Sequence, residues 1–320
     1  MMKPVDAGES APIRDLSTPR RTAKIRQTLL VVLLLNLLVA IAKLAYGLIS
    51  GSLSMTADGI NSLMDGAANV VGLIGLAIAA RPPDPNHPYG HRRFETITAL
   101  AIAMAMVLAV IQIVQEAWHR WQAGTIPEVT PFSFAIMGGT LLVNVGVTLW
   151  ERRRGRELRS SILVADAKHT AADALVSISV IAGLAAVRFG FPTADLVLAI
   201  AVAGVITWGA WTIMRDAALT LSDTAAAPVE VIERAARTVP GVRGIHNIRT
   251  RSGEGLVWVD LHIQVDPHLR VEQAHEIASA VAARVEEELG QPADVTVHIE
   301  PATSRHLRPT RGYRPWHEER

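Results

Sequence analysis

Apolar residues run in six long blocks through the first part of the chain, and the polar positions between them mark the turns. Thr28 to Ser50 is almost entirely aliphatic, broken by Asn36 and Lys43. Roughly 20 such residues cross a bilayer as a helix, so this block predicts a first span. Gly51-Ser52 predicts a tight turn. A second block then runs to about Ala80, where Arg81-Pro82-Pro83 cannot continue a helix. Four more blocks run from about Ile97 to Trp118, Pro131 to Trp150, Ser161 to Val187 and Ala194 to Met214. Trp118 and Trp121 suit the membrane interface. After Met214 the pattern changes. Val229 to Val239 has helical spacing, and Val242 to Arg251 and Gly255 to Val265 read as strands. Val271 to Leu289 reads as an amphipathic helix and Ala293 to Ile299 as a last strand. The predicted fold is an all-α membrane bundle of six helices, followed by an α+β domain in the order α-β-β-α-β.

Composition agrees with a membrane chain. Half of the 320 residues are apolar and 19% are charged. A net charge of +1 gives no ground for a nucleic-acid partner. There are no cysteines, which removes disulfides, thiolate metal sites and Cys nucleophiles together. Lys and Arg concentrate in the N-terminal tail, the second polar loop, the run Glu151 to Arg159 and Arg215. The positive-inside rule then predicts both termini in the cytoplasm, and the expected location is the cytoplasmic (inner) membrane. The expected organisation is a disordered tail at 1–27, a six-span domain at 28–214, a cytoplasmic domain at 215–301 and a second disordered tail at 302–320.

Candidate chemistry centres on two stretches inside the apolar blocks. Ala57 to Asp65 reads ADGINSLMD and Ala165 to Asp173 reads ADAKHTAAD. In each, a ligand-type residue precedes an Asp by four positions, so Asn61/Asp65 and His169/Asp173 each share one helix face. Spans two and five should run antiparallel. Two such pairs facing each other offer three oxygens and one nitrogen to a divalent transition metal. Asp58 and Asp166 lie one turn earlier and are candidate supporting groups. Ionisable groups inside a membrane are costly and mark ion paths. Metal entry requires deprotonated ligands, so the site also exchanges protons. Asp84, His87 and His91, in the loop after span two, form a second candidate trio; the same residues also fit a loop closed by turn hydrogen bonds. The cytoplasmic part carries His246, His262, His275, His298 and Glu300. His-Glu-x-x-His, the mark of many zinc hydrolases, is absent, which argues against an enzyme.

The stretches SGSLSMTADGINSLMD and ADAKHTAAD resemble signatures of the cation diffusion facilitator family, from about Thr28 to Pro301. The resemblance implies divalent-metal/proton antiport by a homodimer in a lipid bilayer, with a metallochaperone-like cytoplasmic domain. It implies that Asn61, Asp65, His169 and Asp173 take the transport-site positions. It further implies a second metal at Asp84, His87 and His91, and a regulatory binuclear site among His246, His262, His275, His298 and Glu300. Arg93 is expected to pair with Asp223. Many members carry His or Asp where this chain has Asn61, so Zn²⁺, Fe²⁺ and Mn²⁺ all stay open as cargo. A metal-responsive membrane scaffold that does not transport is the rival reading.

Overall fold

The computed structural model describes residues 19–50, 53–123, 131–188, 194–253 and 255–303. Within those stretches the side chains of Asp58, Asn61 and Asp65 lie outside the described set, as do most of the two expected tails. The chain forms two compact units, Pro19–Ala218 and a second that begins at Leu219.

The first unit is built from α1 (Pro19–Ser50), α2 (Leu53–Ala79), α3 (Arg93–Ala123), α4 (Pro131–Glu157), α5 (Ser161–Arg188) and α6 (Ala194–Leu221). The helices outrun the apolar blocks. α1 begins at Pro19, so residues 19–27 are helical and not a tail. Protein contacts hold this polar turn. Arg21 donates to the carbonyls of Leu158 at 2.9 Å and Arg159 at 3.1 Å, and pairs with Glu95 at 3.2 Å. Ile25 is fully buried in the bundle core. α4 continues through the basic run to Glu157, helped by the Arg153–Glu157 pair at 2.9 Å. A turn with Arg159 at φ 46 follows, and Ser160 stands just before α5, its carbonyl accepting from the amide of Val164 at 3.1 Å.

α1 and α2 pack as one hairpin and α4 and α5 as another, and α2, α3 and α5 meet between them. Ile25, Leu29, Ile102, Met106, Ile162 and Leu163 lie at the centre. Large apolar side chains such as Leu34, Leu38, Leu142 and Trp208 point outward, at 64%, 64%, 76% and 69% exposure. A surface that greasy suits lipid and not water. Arg20–Tyr46, Arg93–His119 and Leu196–Leu221 are each long and apolar enough to cross a membrane. α5 carries Asp166, Lys168, His169 and Asp173 along its length.

The second unit holds α7 (Val229–Arg237), β1 (Gly244–Gly253), β2 (Leu256–Val265), α8 (Val271–Leu289) and β3 (Ala293–Pro301). β2 is central, antiparallel to β1 and parallel to β3, with α8 as the crossover. Val257, Val259, Leu261, Ile263 and Val265 alternate into one core with Ile232, Val281 and Val285 of the helices. The intervening β2 residues turn to the other face. β1 breaks the alternation. Asn247 at φ 51 makes a bulge, so Ile245 and Ile248, three apart, both reach the core.

Candidate metal centres and a buried polar chain

The contact of α2 with α5 is polar. Asn69 of α2 donates from Nδ2 to Oδ2 of Asp166 of α5. Asn69 Oδ1 in turn accepts from Asn36 of α1 at 2.8 Å. Three residues further along α2, a Cβ added at Gly72 would stand 3.3 Å from Ile162, four residues back along α5. The two helices are therefore antiparallel. Asp166 and His169 are buried, at 0% and 7% exposure. Asp173 follows one turn later, half-buried, on the His169 face. Of the first candidate set, these two ligands are described; the side chains of Asn61 and Asp65 lie outside the described residues.

The second candidate trio is a single turn of chain. The backbones of Asp84 and His87 bond to each other at 3.0 and 3.2 Å. Asp84 Oδ1 also accepts from the amides of Asn86 at 2.9 Å and His87 at 2.7 Å, an Asx-type turn. Gly90 at φ 81 returns the chain towards α3. His91 is buried, and its Nδ1–H donates to the carbonyl of Pro82 at 3.2 Å. That bond leaves Nε2 as the ligand atom, 3.3 Å from Asp84 Oδ2. His87 Nδ1 lies 3.1 Å from Asp84 Oδ1, and one ligand atom from each of the three falls within 4.8 Å of the others. Desolvation pushes the Asp84 carboxyl up, but the His87 and Asn86 amides and the His87 ring outweigh it and hold the group below its usual range. Turn geometry and a ligand trio coexist here, so the two readings of the loop are compatible.

The third candidate set comes from the open face of the sheet. His246, His262 and His298 are direct partners across β1, β2 and β3. Ring centroids lie 5.2 Å apart for His246/His262 and 4.6 Å apart for His262/His298. In the next row stand Gly244, Gln264 and Glu300. Glu300 leans into the histidine row, with Oε1 2.9 Å from His262 Nδ1 and Oε2 3.1 Å from His246 Nε2. His246, His262 and Glu300 hold ligand atoms within 4.8 Å of one another. His298 is 62% exposed and 3.9 Å from Glu300, a fourth donor at the rim. Desolvation pushes the Glu300 carboxyl up. The His262 hydrogen bond and the charges of His246, His262 and His298 outweigh it, and the group lies below its usual range. His275 is exposed on α8 and belongs to neither ligand cluster among the described residues.

Residues 29–222 match the model of the cation efflux transmembrane domain, and residues 226–302 that of the cation efflux protein cytoplasmic domain. The chain belongs to the cation diffusion facilitator family. This cation efflux protein is 33% identical to an uncharacterised transporter of Methanocaldococcus jannaschii, over 82% of this chain and 94% of the relative. It is 31% identical to the manganese efflux system protein MneS of Bacillus subtilis, over 83% and 91% of the two chains. It is 32% identical to the magnetosome protein MamM of Magnetospirillum gryphiswaldense, over 79% and 81%. It is thus a multi-pass membrane protein for divalent metal cation efflux, and not an enzyme.

Several polar residues of this cation efflux protein escape a reading by motif. Asn69 continues the i, i+4 face of Asn61 and Asp65, and extending that spacing by one step finds it. Glu151 is fully buried although it heads a basic run, which reads as a solvated orientation signal. Glu95 is 2% exposed and accepts from Ser160 as well as Arg21. Asp223 lies 3.9 Å from Arg251 within the second unit.

Proposed function

We propose that the protein is a homodimeric, proton-coupled exporter of a divalent first-row metal in the cytoplasmic membrane, with both termini in the cytoplasm. The observation that carries the reading is the antiparallel register of α2 on α5, with Asn69 opposite Asp166 and Gly72 opposite Ile162. A helical turn is roughly 3.6 residues. Continued back along α2, this register sets position 65 level with His169 and position 61 level with Asp173. One cation would then take four donors, three of oxygen and one of nitrogen. His169 must be neutral and the carboxyl groups ionised to hold it, so cation entry displaces protons and proton entry displaces the cation. Rocking of the helices between inward- and outward-open states then exchanges one for the other.

The amide at Asn61 makes the site oxygen-rich and lowers its charge relative to a carboxylate. Oxygen donors suit Mn²⁺, and a manganese efflux protein is among the relatives. Mn²⁺ is therefore the first cargo to test, with Fe²⁺ and Zn²⁺ beside it. In the cytoplasmic unit, a cation shared by His246, His262 and Glu300 would clamp the three strands and serve as a regulatory ligand. A homodimer fits a chain whose second unit matches a domain model that carries dimerisation in its name.

The test is metal flux into vesicles carrying the full chain under an imposed pH gradient. His169→Ala and Asp173→Ala should each lower flux by more than the roughly 10–100-fold that loss of a supporting contact costs a metal site. Full flux in both variants rejects the site. Metal-dependent dimerisation with no flux in the native protein favours the scaffold reading.

A further inference from the structure

Glu151 is 0% exposed, and so is Asp166 across from it on α5. α4 and α5 pack closely here, with Gly155 against Leu163 and Val164, and one turn away along each helix the Glu151 and Asp166 carboxyl groups act on each other. Yet neither Glu151 oxygen, nor Oδ1 of Asp166, receives an N–H or O–H from any described residue. The nearby donor, Asn69 Nδ2, goes to the other Asp166 oxygen. Among the described residues, the titratable groups that act on the pair are the two carboxyls themselves and the His169 imidazole, which acts on Asp166. None is a lysine or arginine.

Two carboxylates cannot face each other in such a place without something positive between them. Buried like charges repel, and every oxygen without a donor adds a desolvation cost. One proton answers both needs, because a carboxylic acid O–H donates to the carboxylate opposite. A metal ion fits less well. An amide ligates metals through oxygen, and Asn69 Oδ1 is already taken by Asn36, so Asn69 shows the pair its N–H. We propose that Glu151 and Asp166 form a proton-holding site, separate from the cation ligands, in which a single proton is shared between the two carboxyl groups. The proton comes from water and returns to it, and no other bond changes. The chain Asn36–Asn69–Asp166–Glu151 joins α1, α2, α5 and α4, so the proton sits where two helical hairpins meet. Its loss leaves two facing anions and loosens that contact. The use of this proton in transport rests on the proton-coupled reading above; its presence does not.

The test is infrared difference spectroscopy of the full-length protein in lipid, without metal, at neutral pH. The wild type should show the carbonyl stretch of one protonated carboxylic acid, shifting in D₂O. Glu151→Gln should lose that band, with folding kept because the new amide N–H supplies the missing donor. Asp166→Asn should lose it by the same logic and covers a folding failure of the first variant. No band in the wild type, or a band unchanged in either folded variant, overturns the proposal. So does one Mn²⁺ fewer per chain in Glu151→Gln with no protonated band in the wild type, which makes the pair a cation site. Under a pH gradient, Glu151→Gln should lose the proton-driven component of Mn²⁺ flux. His169→Ala should lose flux and keep the band, which separates failure of the transport site from failure of the proton site.

Discussion

Asp84, His87 and His91 come from one turn of chain, whereas His246, His262 and Glu300 come from three strands that must first find their register. The loop trio is assembled by its own backbone hydrogen bonds, and Pro82 orients His91 from within the same loop. The sheet trio has no such local support. It exists when β1, β2 and β3 pair with His246, His262 and His298 in one row and Glu300 one row away. A local trio keeps some affinity when its surroundings unfold; a trio built from distant strands keeps almost none. A metal held by the sheet cluster would therefore tie occupancy to folding, which suits the regulatory role proposed for it.

The largest test of that contrast is loss of a ligand. His262→Ala removes the centre of the row, and binding at the sheet cluster should weaken by at least on the order of 10–100-fold. Calorimetry of the full chain in detergent checks it, with the loop cluster disabled by His87→Ala. Next comes linkage. Saturating the sheet cluster at 100 times its Kd should raise the stability of its unit by about 2.7 kcal/mol, because the unfolded strands compete little for metal. The loop cluster should give less at the same saturation. Thermal melts with and without Mn²⁺ in the two single-site variants compare them directly.

Acid separates the regions more gently. The Glu300 carboxyl is lowered from an ordinary 4.5. Its contribution is therefore complete above the ordinary carboxylate range and is lost as pH falls through the lowered value. Circular dichroism during acid titration should show a loss below that range in the wild type which Glu300→Gln lacks. Asp84 is lowered too, but at 43% exposure its Asn variant should change the acid profile less. The smallest effect belongs to Gly90. Its φ of 81 is costly for an L side chain, so Gly90→Ala should cost about 1 kcal/mol locally. Metal binding at the loop should weaken several-fold, with the sheet cluster untouched.

The same contrast governs what can be read without coordinates. The pair on α5 and the loop trio were legible because helical spacing and turn chemistry are local. His262 and His298 were legible as strand residues. Their neighbours were not, since Glu300 and His275 look equally plausible until the register admits one and leaves the other exposed on α8. The bulge at Asn247 is a tertiary adjustment, paid by an Asn that tolerates a left-handed backbone. Residues 19–27 look like a tail because they are polar; they are helical because Glu95 and two carbonyls at the α4–α5 turn receive Arg21. Glu151 is hidden by its arginine neighbours for the same reason, as composition averages over faces that the fold keeps apart.

The glycines of α2 carry a mechanical consequence. At Gly59 the helix lies against Leu44 of α1, at Gly72 against Ile162 of α5 and at Gly75 against Thr98 of α3. Each of these glycines gives a neighbouring helix room to come in close, so three sides of α2 have no slack for an added methyl group. If α2 moves during transport as proposed above, a methyl group at Gly75, which would press into the side chain of Thr98, should act as grit and slow that movement.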